Sequence, residues 1–157
     1  MKFIKEVIPY ILIILVVVLI RTYIVTPVRV NGESMNNTFK NGDILLLSKM
    51  DKKYERMDIV VFTYNGERLI KRIIGLPGEK VKIENNKLYI NDEEIKDYRE
   101  NIEMLNYELE EVIEDNHYFV LGDNRNNSID SRKLGTINIE NISGKVIFSI
   151  IPFKKIG

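Results

Sequence analysis

The chain has 157 residues, 45% of them hydrophobic and 29% charged, with 23 Lys plus Arg against 23 Asp plus Glu. That apolar content excludes a wholly disordered chain, and the zero net charge argues against a strongly basic nucleic-acid binder. The length fits one compact domain with an appendage; no cysteine and a single histidine, His117, exclude disulfides, thiolate sites and multi-histidine metal centres.

The first element is an anchor. Residues 10–20 read YILIILVVVLI without interruption, and extension to Val7 and Val25 gives 19 residues. At ~1.5 Å per residue this spans about 28 Å, close to the ~30 Å hydrocarbon core of a bilayer. Lys2 and Lys5 precede the run and favour an inside N-terminus. Arg21 lies near the far end, where it can snorkel to the headgroups. Pro9 is expected in the first helical turn, where its missing N–H matters least. A cleaved signal peptide would show a small-x-small site, and RTYIVTPVRV has none. A buried core helix is the other alternative, but an all-round apolar stretch of this length is unusual in so small a domain.

Beyond the anchor the pattern is that of short strands. Residues 44–47, 59–64, 69–74, 80–84, 87–91, 118–121 and 145–151 are rich in β-branched or aromatic residues. Asn31-Gly32, Asn41-Gly42 and Asn65-Gly66 are turn dipeptides, Asn85-Asn86 centres a candidate hairpin, and Pro77-Gly78 marks a tight turn. Only residues 91–115 have helix-like composition. That block carries two basic and eleven acidic residues, net −9, whereas 1–40, 41–90 and 116–157 are each net +3. It reads as a solvated, partly helical surface segment and lacks the spacing of a calcium loop. Several short strands with few helices predict an antiparallel sandwich or barrel-like fold.

Four clusters carry candidate chemistry: Gly32-Glu33-Ser34-Met35-Asn36-Asn37-Thr38-Phe39, Gly42-Asp43-Ile44-Leu45, KRIIGLPGE from Lys71 to Glu79, and GDNRNNSIDSR from Gly122 to Arg132. Taken alone, Ser34 fits an ordinary turn serine as well as a nucleophile on a bend whose N–H groups meet an oxyanion. Alternation along a strand sends Lys71 and Arg72 to opposite faces, so one of them faces the interior or a groove, unless it merely snorkels at an edge. The two Asp and two Arg of the last cluster read as a salt-bridged loop.

Together the four clusters, in this order behind one anchor, resemble type I signal peptidases: membrane-anchored serine proteases with a Ser-Lys dyad. The likeness covers nearly the whole chain and is that of the compact Gram-positive-type form. It implies a mainly β fold, with a single N-terminal transmembrane helix followed by an antiparallel β-sandwich or barrel-like catalytic domain. Residues 1–6 are then a short cytoplasmic start, 7–25 the anchor, and 26–157 the extracytoplasmic catalytic domain, with 91–115 a variable insert. Ser34 is implied as nucleophile and Lys71 as general base. Ser128 resembles the serine that hydrogen-bonds the lysine, and Asp123, Arg125, Asp130 and Arg132 resemble supports of the site. Val30, Met35, Leu69 and Ile70 match positions lining shallow pockets for alanine-like side chains. The backbone N–H of Ser34 is implied as one oxyanion donor; Gly32 stands where some relatives have a serine supplying the second. Asn37 replaces the family's usual proline, which bears on the rigidity of that turn. The implied substrates are signal peptides of preproteins, the surroundings membrane lipid, and the secretion machinery a further partner; no cofactor, metal or nucleic acid is called for. Ser34 follows Val25 by nine residues, so the site is expected at the membrane surface.

Three other readings compete. A self-cleaving repressor-type Ser-Lys protease would carry a DNA-binding segment in place of residues 1–27. A variant with histidine as base is disfavoured because Lys71, not histidine, stands in the third cluster and His117 lies outside it. A non-catalytic, membrane-tethered module that binds extended peptides is the third, with Asn37 as its one hint.

Overall fold

The computed structural model describes residues 2–51, 53–96, 104–109 and 112–156. Helix α1 (Lys2–Tyr23) is followed by β1 (Val25–Arg29), β2 (Ile44–Ser48), β3 (Ile59–Tyr64), β4 (Glu67–Gly75), β5 (Val81–Glu84) and β6 (Lys87–Ile90). Then come β7 (Glu93–Ile95), β8 (Tyr107–Glu108), β9 (His117–Leu121), α2 (Ser131–Leu134), β10 (Ile137–Asn138), β11 (Ile142–Ile151) and β12 (Lys154–Lys155).

The apolar run is helical, and its window Glu6–Tyr23 packs against nothing inside the protein. By length and composition it is a candidate membrane span, and its exposure does not fit a buried core helix. Two expectations are corrected. The helix starts at Lys2, so Pro9 lies inside it, about two turns from its start, and removes one backbone bond there. The helix also ends at Tyr23, because Val25 already pairs with Ser48 in a sheet. Its last carbonyls find partners on the strand domain. Thr26 Oγ1 donates to the Arg21 carbonyl at 2.8 Å, and Lys49 Nζ donates to those of Thr22 and Arg21 at 3.1 and 3.4 Å. Carbonyls that would otherwise be orphaned at the helix terminus thus tie the helix to β1 and β2.

The rest is two antiparallel sheets, as the short-strand pattern predicts. The larger runs β1-β2-β11-β3-β4-β9-β10, with β12 added on β11; the smaller runs β7-β6-β5-β8. Turn chemistry sets the hairpins. Asn65-Gly66 joins β3 to β4 and Asn85-Asn86 joins β5 to β6, all four residues at positive φ, as two-residue primed turns require. Asn91-Asp92 does the same between β6 and β7, where the sequence suggested helix. In the acidic segment the described residues hold β7 and β8, and the partial helix expected there falls on 97–103 and 110–111, which lie outside the described residues. Two-residue Asn/Asp turns outweigh the Glu-rich composition, because Ile90 and Ile95 face an apolar cluster only as strands.

Two features of this topology create the site. The β1–β2 ladder continues past the strand ends through Val30 N–H to the Asp43 carbonyl (2.8 Å) and Gly42 N–H to the Val30 carbonyl (2.9 Å), leaving 31–41 as a loop that carries Ser34. Strand β4 pairs with β3 from Glu67 onward but meets β9 only from Arg72, so Glu67–Lys71 keep one edge unpaired.

Candidate active site

The loop that carries Ser34 is pinned from below. Met35 and Phe39 are buried in one cluster with Val28, Val30, Ile59 and Ile70, and Thr38 and Phe39 donate their N–H groups to the Met35 carbonyl at 3.0 and 2.9 Å. Asn124 N–H then donates to the Ser34 carbonyl at 2.9 Å, tying the loop to the segment after β9. Asn37 has φ +97°, a left-handed conformation that asparagine tolerates and proline cannot reach. Restoring the proline of related sequences should therefore destabilise this chain rather than rigidify it. Asn37→Pro is expected to lower thermal stability and activity together, while Asn37→Gly leaves both near wild type; a thermal melt with an activity assay on each variant checks this.

Lys71 comes from the unpaired-edge half of β4 and is 1% exposed. Its Nζ donates to Ser34 Oγ at 2.7 Å and to the Ile70 carbonyl at 3.0 Å. Burial lowers its pKa to about 8, against the opposing pull of Asp130 and Asp123. The alternation argument thus resolves in favour of an interior lysine. At pH 7 the neutral amine is about 1 kcal/mol uphill, where an unperturbed lysine would stand more than about 4 kcal/mol uphill.

The acidic and basic residues around Ser34 and Lys71 form two buried clamps. Arg72 donates through Nε and Nη2 to Asp123 at 3.0 and 2.7 Å and to the Met57 carbonyl at 2.8 Å; Thr38 Oγ1 also donates to Asp123. This fork ties β4, the segment after β9 and the end of the Ser34 loop together. Asp130 caps α2 and accepts the Gly122 N–H at 3.0 Å and both Nε and Nη2 of Arg132 at 2.8 Å. Burial pushes the Asp130 carboxyl up, but Arg132 and the Gly122 N–H outweigh it and hold the pKa below the usual carboxylate range. Arg125 is buried, with Nε on the Gly122 carbonyl at 3.0 Å, and its own carbonyl accepts Arg132 Nη2 at 2.7 Å.

Three expected roles shift. Ser128 lies beside Gly122 and helps hold the Asp130 carboxyl down, yet its Oγ makes no hydrogen bond of regular geometry, and the bond to Lys71 is not formed. Gly32, at φ +99°, donates its N–H to Asn41 Oδ1 at 3.1 Å and so does not offer it to an oxyanion. Val30, Met35 and Ile70 share one cluster, but the Leu69 side chain packs with Val60, Phe62 and Ile73 in another, although Leu69 borders the same groove. Alternation along β4 puts neighbours on opposite faces.

Arg72, Thr38, Asn41, Asn124 and Gly122 belong to the site without having been singled out for it. A Cβ on Gly122 would fall 2.1 Å from Ser128 Oγ and 2.7 Å from the Ser34 carbonyl oxygen. Gly122→Ala must therefore displace the Ser34 loop. It is expected to cost roughly 1–3 kcal/mol of stability and more than tenfold in kcat, measured by thermal melts and steady-state cleavage.

The chain matches the family model described as "Signal peptidase, peptidase S26" over residues 3–151. It is 34% identical over 157 aligned residues to signal peptidase I of Bacillus amyloliquefaciens, covering 91% of this chain and 85% of that one. It is 32% identical to signal peptidase IB of Staphylococcus aureus (strain COL) over 182 aligned positions, covering 96% and 93%. Among solved structures, signal peptidase I of Enterococcus faecalis V583 superposes with a TM-score of 0.54 at 34% identity, covering 59% of this chain and 96% of that one.

Proposed function

The chain belongs to the signal peptidase family, peptidase S26, membrane-associated serine endopeptidases that remove signal peptides, and from that premise we propose that Ser34 is its nucleophile and Lys71 its general base. The observation that carries this assignment is the 2.7 Å contact between Lys71 Nζ and Ser34 Oγ, made by a lysine that burial brings close to neutrality. Neutral Lys71 takes the Ser34 proton as Oγ attacks the scissile carbonyl, then returns it to the leaving amine. Water activated by the same amine hydrolyses the acyl-enzyme. The Ser34 N–H, which meets no backbone carbonyl among the described residues, serves as an oxyanion donor. The second donor is a group other than the Gly32 N–H, which Asn41 holds.

The signal peptide enters as an added strand. The outer edge of β1 and the unpaired edge of Glu67–Lys71 flank a groove of about 530 Å³ bordered by Val28 and Ile70, which favours main-chain hydrogen bonds with shallow apolar pockets. Residues 1–6 lie on the cytoplasmic side, the apolar part of α1 from Val7 to Tyr23 crosses the bilayer, and the strand domain that begins at Val25 stands outside. Helix α1 ends only eleven residues before Ser34, which holds the site at the membrane surface, where the apolar part of the substrate stays in lipid.

Cleavage of an exported precursor by the full-length protein in detergent, with sequencing of the product N-terminus, tests this reading. A single cut after an alanine-like residue is expected. Acylation of Ser34 by a serine-directed inhibitor, read by mass spectrometry, separates it from a binder without catalysis: an unlabelled Ser34 with no cleavage overturns it.

A further inference from the structure

Three Asn-Gly pairs lie in the chain, at 31–32, 41–42 and 65–66, and turning the backbone does not exhaust their chemistry. The backbone nitrogen after an asparagine can attack that asparagine's own amide carbon and close a five-membered ring. Glycine, with no Cβ, leaves the approach open. Two conditions bar the reaction: a nitrogen turned away from the side chain, and an N–H held in a strong hydrogen bond. These conditions separate the three pairs.

The first bars Asn65. Its φ of +48° lies in the left-handed region, which sends the next nitrogen to the far side of Cα from Cβ. The second bars Asn41. The Gly42 N–H is held by the Val30 carbonyl at 2.9 Å, in the ladder that continues β1 and β2, and the Asn41 amide is itself engaged through Oδ1. Neither bars Asn31. It is exposed and outside the left-handed region, and a Cβ on Gly32 would meet nothing within 4 Å. Among the described residues the Gly32 N–H has one partner, the exposed Asn41 side chain at 3.1 Å. A single exposed side-chain bond opens far more often than a bond inside a ladder.

We propose that Asn31 is a self-modification site, at which attack by the Gly32 nitrogen turns the asparagine into isoaspartate and silences Ser34. Hydroxide takes the Gly32 N–H proton as the new N–Cγ bond forms. The Cγ–Nδ2 bond then breaks, and the amide nitrogen leaves as ammonia with a proton from water. Water opens the ring at either carbonyl, giving aspartate or isoaspartate, so the net change adds water and releases ammonia. Isoaspartate routes the main chain through the former side chain. It lengthens the chain by a carbon between Val30, where the ladder ends, and Ser34. Asn31 also borders the groove, so either product adds a carboxylate to its wall. A displacement of about 1 Å at the reacting atoms is enough for a loss on the order of 100-fold. Asn41 is the guard: Asn41→Ala is expected to speed conversion of Asn31 by roughly three- to tenfold, the opening gained by removing one exposed hydrogen bond.

The experiment holds the full-length protein in detergent in mildly alkaline buffer and samples it over time. Peptide mapping by mass spectrometry reads conversion at each asparagine and separates aspartate from isoaspartate; precursor cleavage is measured on the same samples. Asn31 is expected to convert ahead of Asn41 and Asn65, with the cleavage rate falling in step with the isoaspartyl fraction. Asn31→Gln, whose longer side chain closes a less favourable ring, keeps its own starting rate over the same interval. Conversion of Asn41 or Asn65 as fast as Asn31, an Asn31 rate unmoved in Asn41→Ala, or isoaspartyl protein that cleaves at the unmodified rate overturns the proposal. Only its activity readout rests on the peptidase reading above. Fresh protein that cleaves nothing overturns that reading, while the peptide map still decides the modification site.

Discussion

Ser34→Ala and Lys71→Ala are each expected to lower kcat for precursor cleavage by roughly 10⁴- to 10⁶-fold while leaving membrane insertion intact. The magnitude follows from geometry. Ser34 Oγ and Lys71 Nζ are one hydrogen-bonded unit, 2.7 Å apart, so losing either member removes the activated nucleophile altogether. The double variant should then be no slower than either single one, because residues acting as a unit are strongly non-additive. The wild type supplies a second readout. Only neutral Lys71 can accept the serine proton, so log kcat/KM should rise with pH and level off above about 8. A Lys71→Ala protein that cuts at the wild-type rate sinks the dyad, and a midpoint near ~10.5 would mean the lysine is not desolvated.

The sheet was largely legible in the sequence because its signals are local. Residues 59–64 are all β-branched or aromatic and meet Asn65-Gly66, and β3 ends where that turn begins. The clusters that hold Ser34, Lys71 and Asp123 were legible too. Their junction was not, since it depends on how β4 meets β9: Arg72 opposite Leu121 brings Asp123 to the guanidinium, and no periodicity encodes that pairing. Alternation identified Lys71 or Arg72 as interior without choosing between them. It should have separated Leu69 from Ile70, and there the family pattern outweighed the physics of the strand. At the start of the acidic block composition misled for the opposite reason. Glu-rich composition is a weak helix preference, and Asn91-Asp92 at positive φ turns β6 directly into β7.

The same burial that makes Lys71 useful makes it costly, and this separates its stability effect from its catalytic one. Its folded-state pKa, about 8, lies below the unfolded value of 10.5. Below about pH 8 both states hold the proton, and the folded state bears the full cost of a desolvated cation. Between 8 and 10.5 only the unfolded state is protonated, and the cost shrinks; above 10.5 it is gone. The shift corresponds to about 3 kcal/mol at pH 7. Lys71→Met keeps the apolar stem and removes the charge. It also gives up hydrogen bonds to Ser34 and to the Ile70 carbonyl, each worth about 1 kcal/mol. The net expectation is an inactive protein more stable than wild type by roughly 1–2 kcal/mol at pH 7, with the advantage reversing or vanishing above pH 10. Denaturation of both proteins in detergent at pH 7 and pH 10.5 measures it. A Lys71→Met protein that is less stable at pH 7 by the same margin as at pH 10.5 would mean that the lysine is held as a structural cation. The proton transfer assigned to it would then need another base, and His117, which contacts Asp115 and Asn138 instead, is not placed to be one.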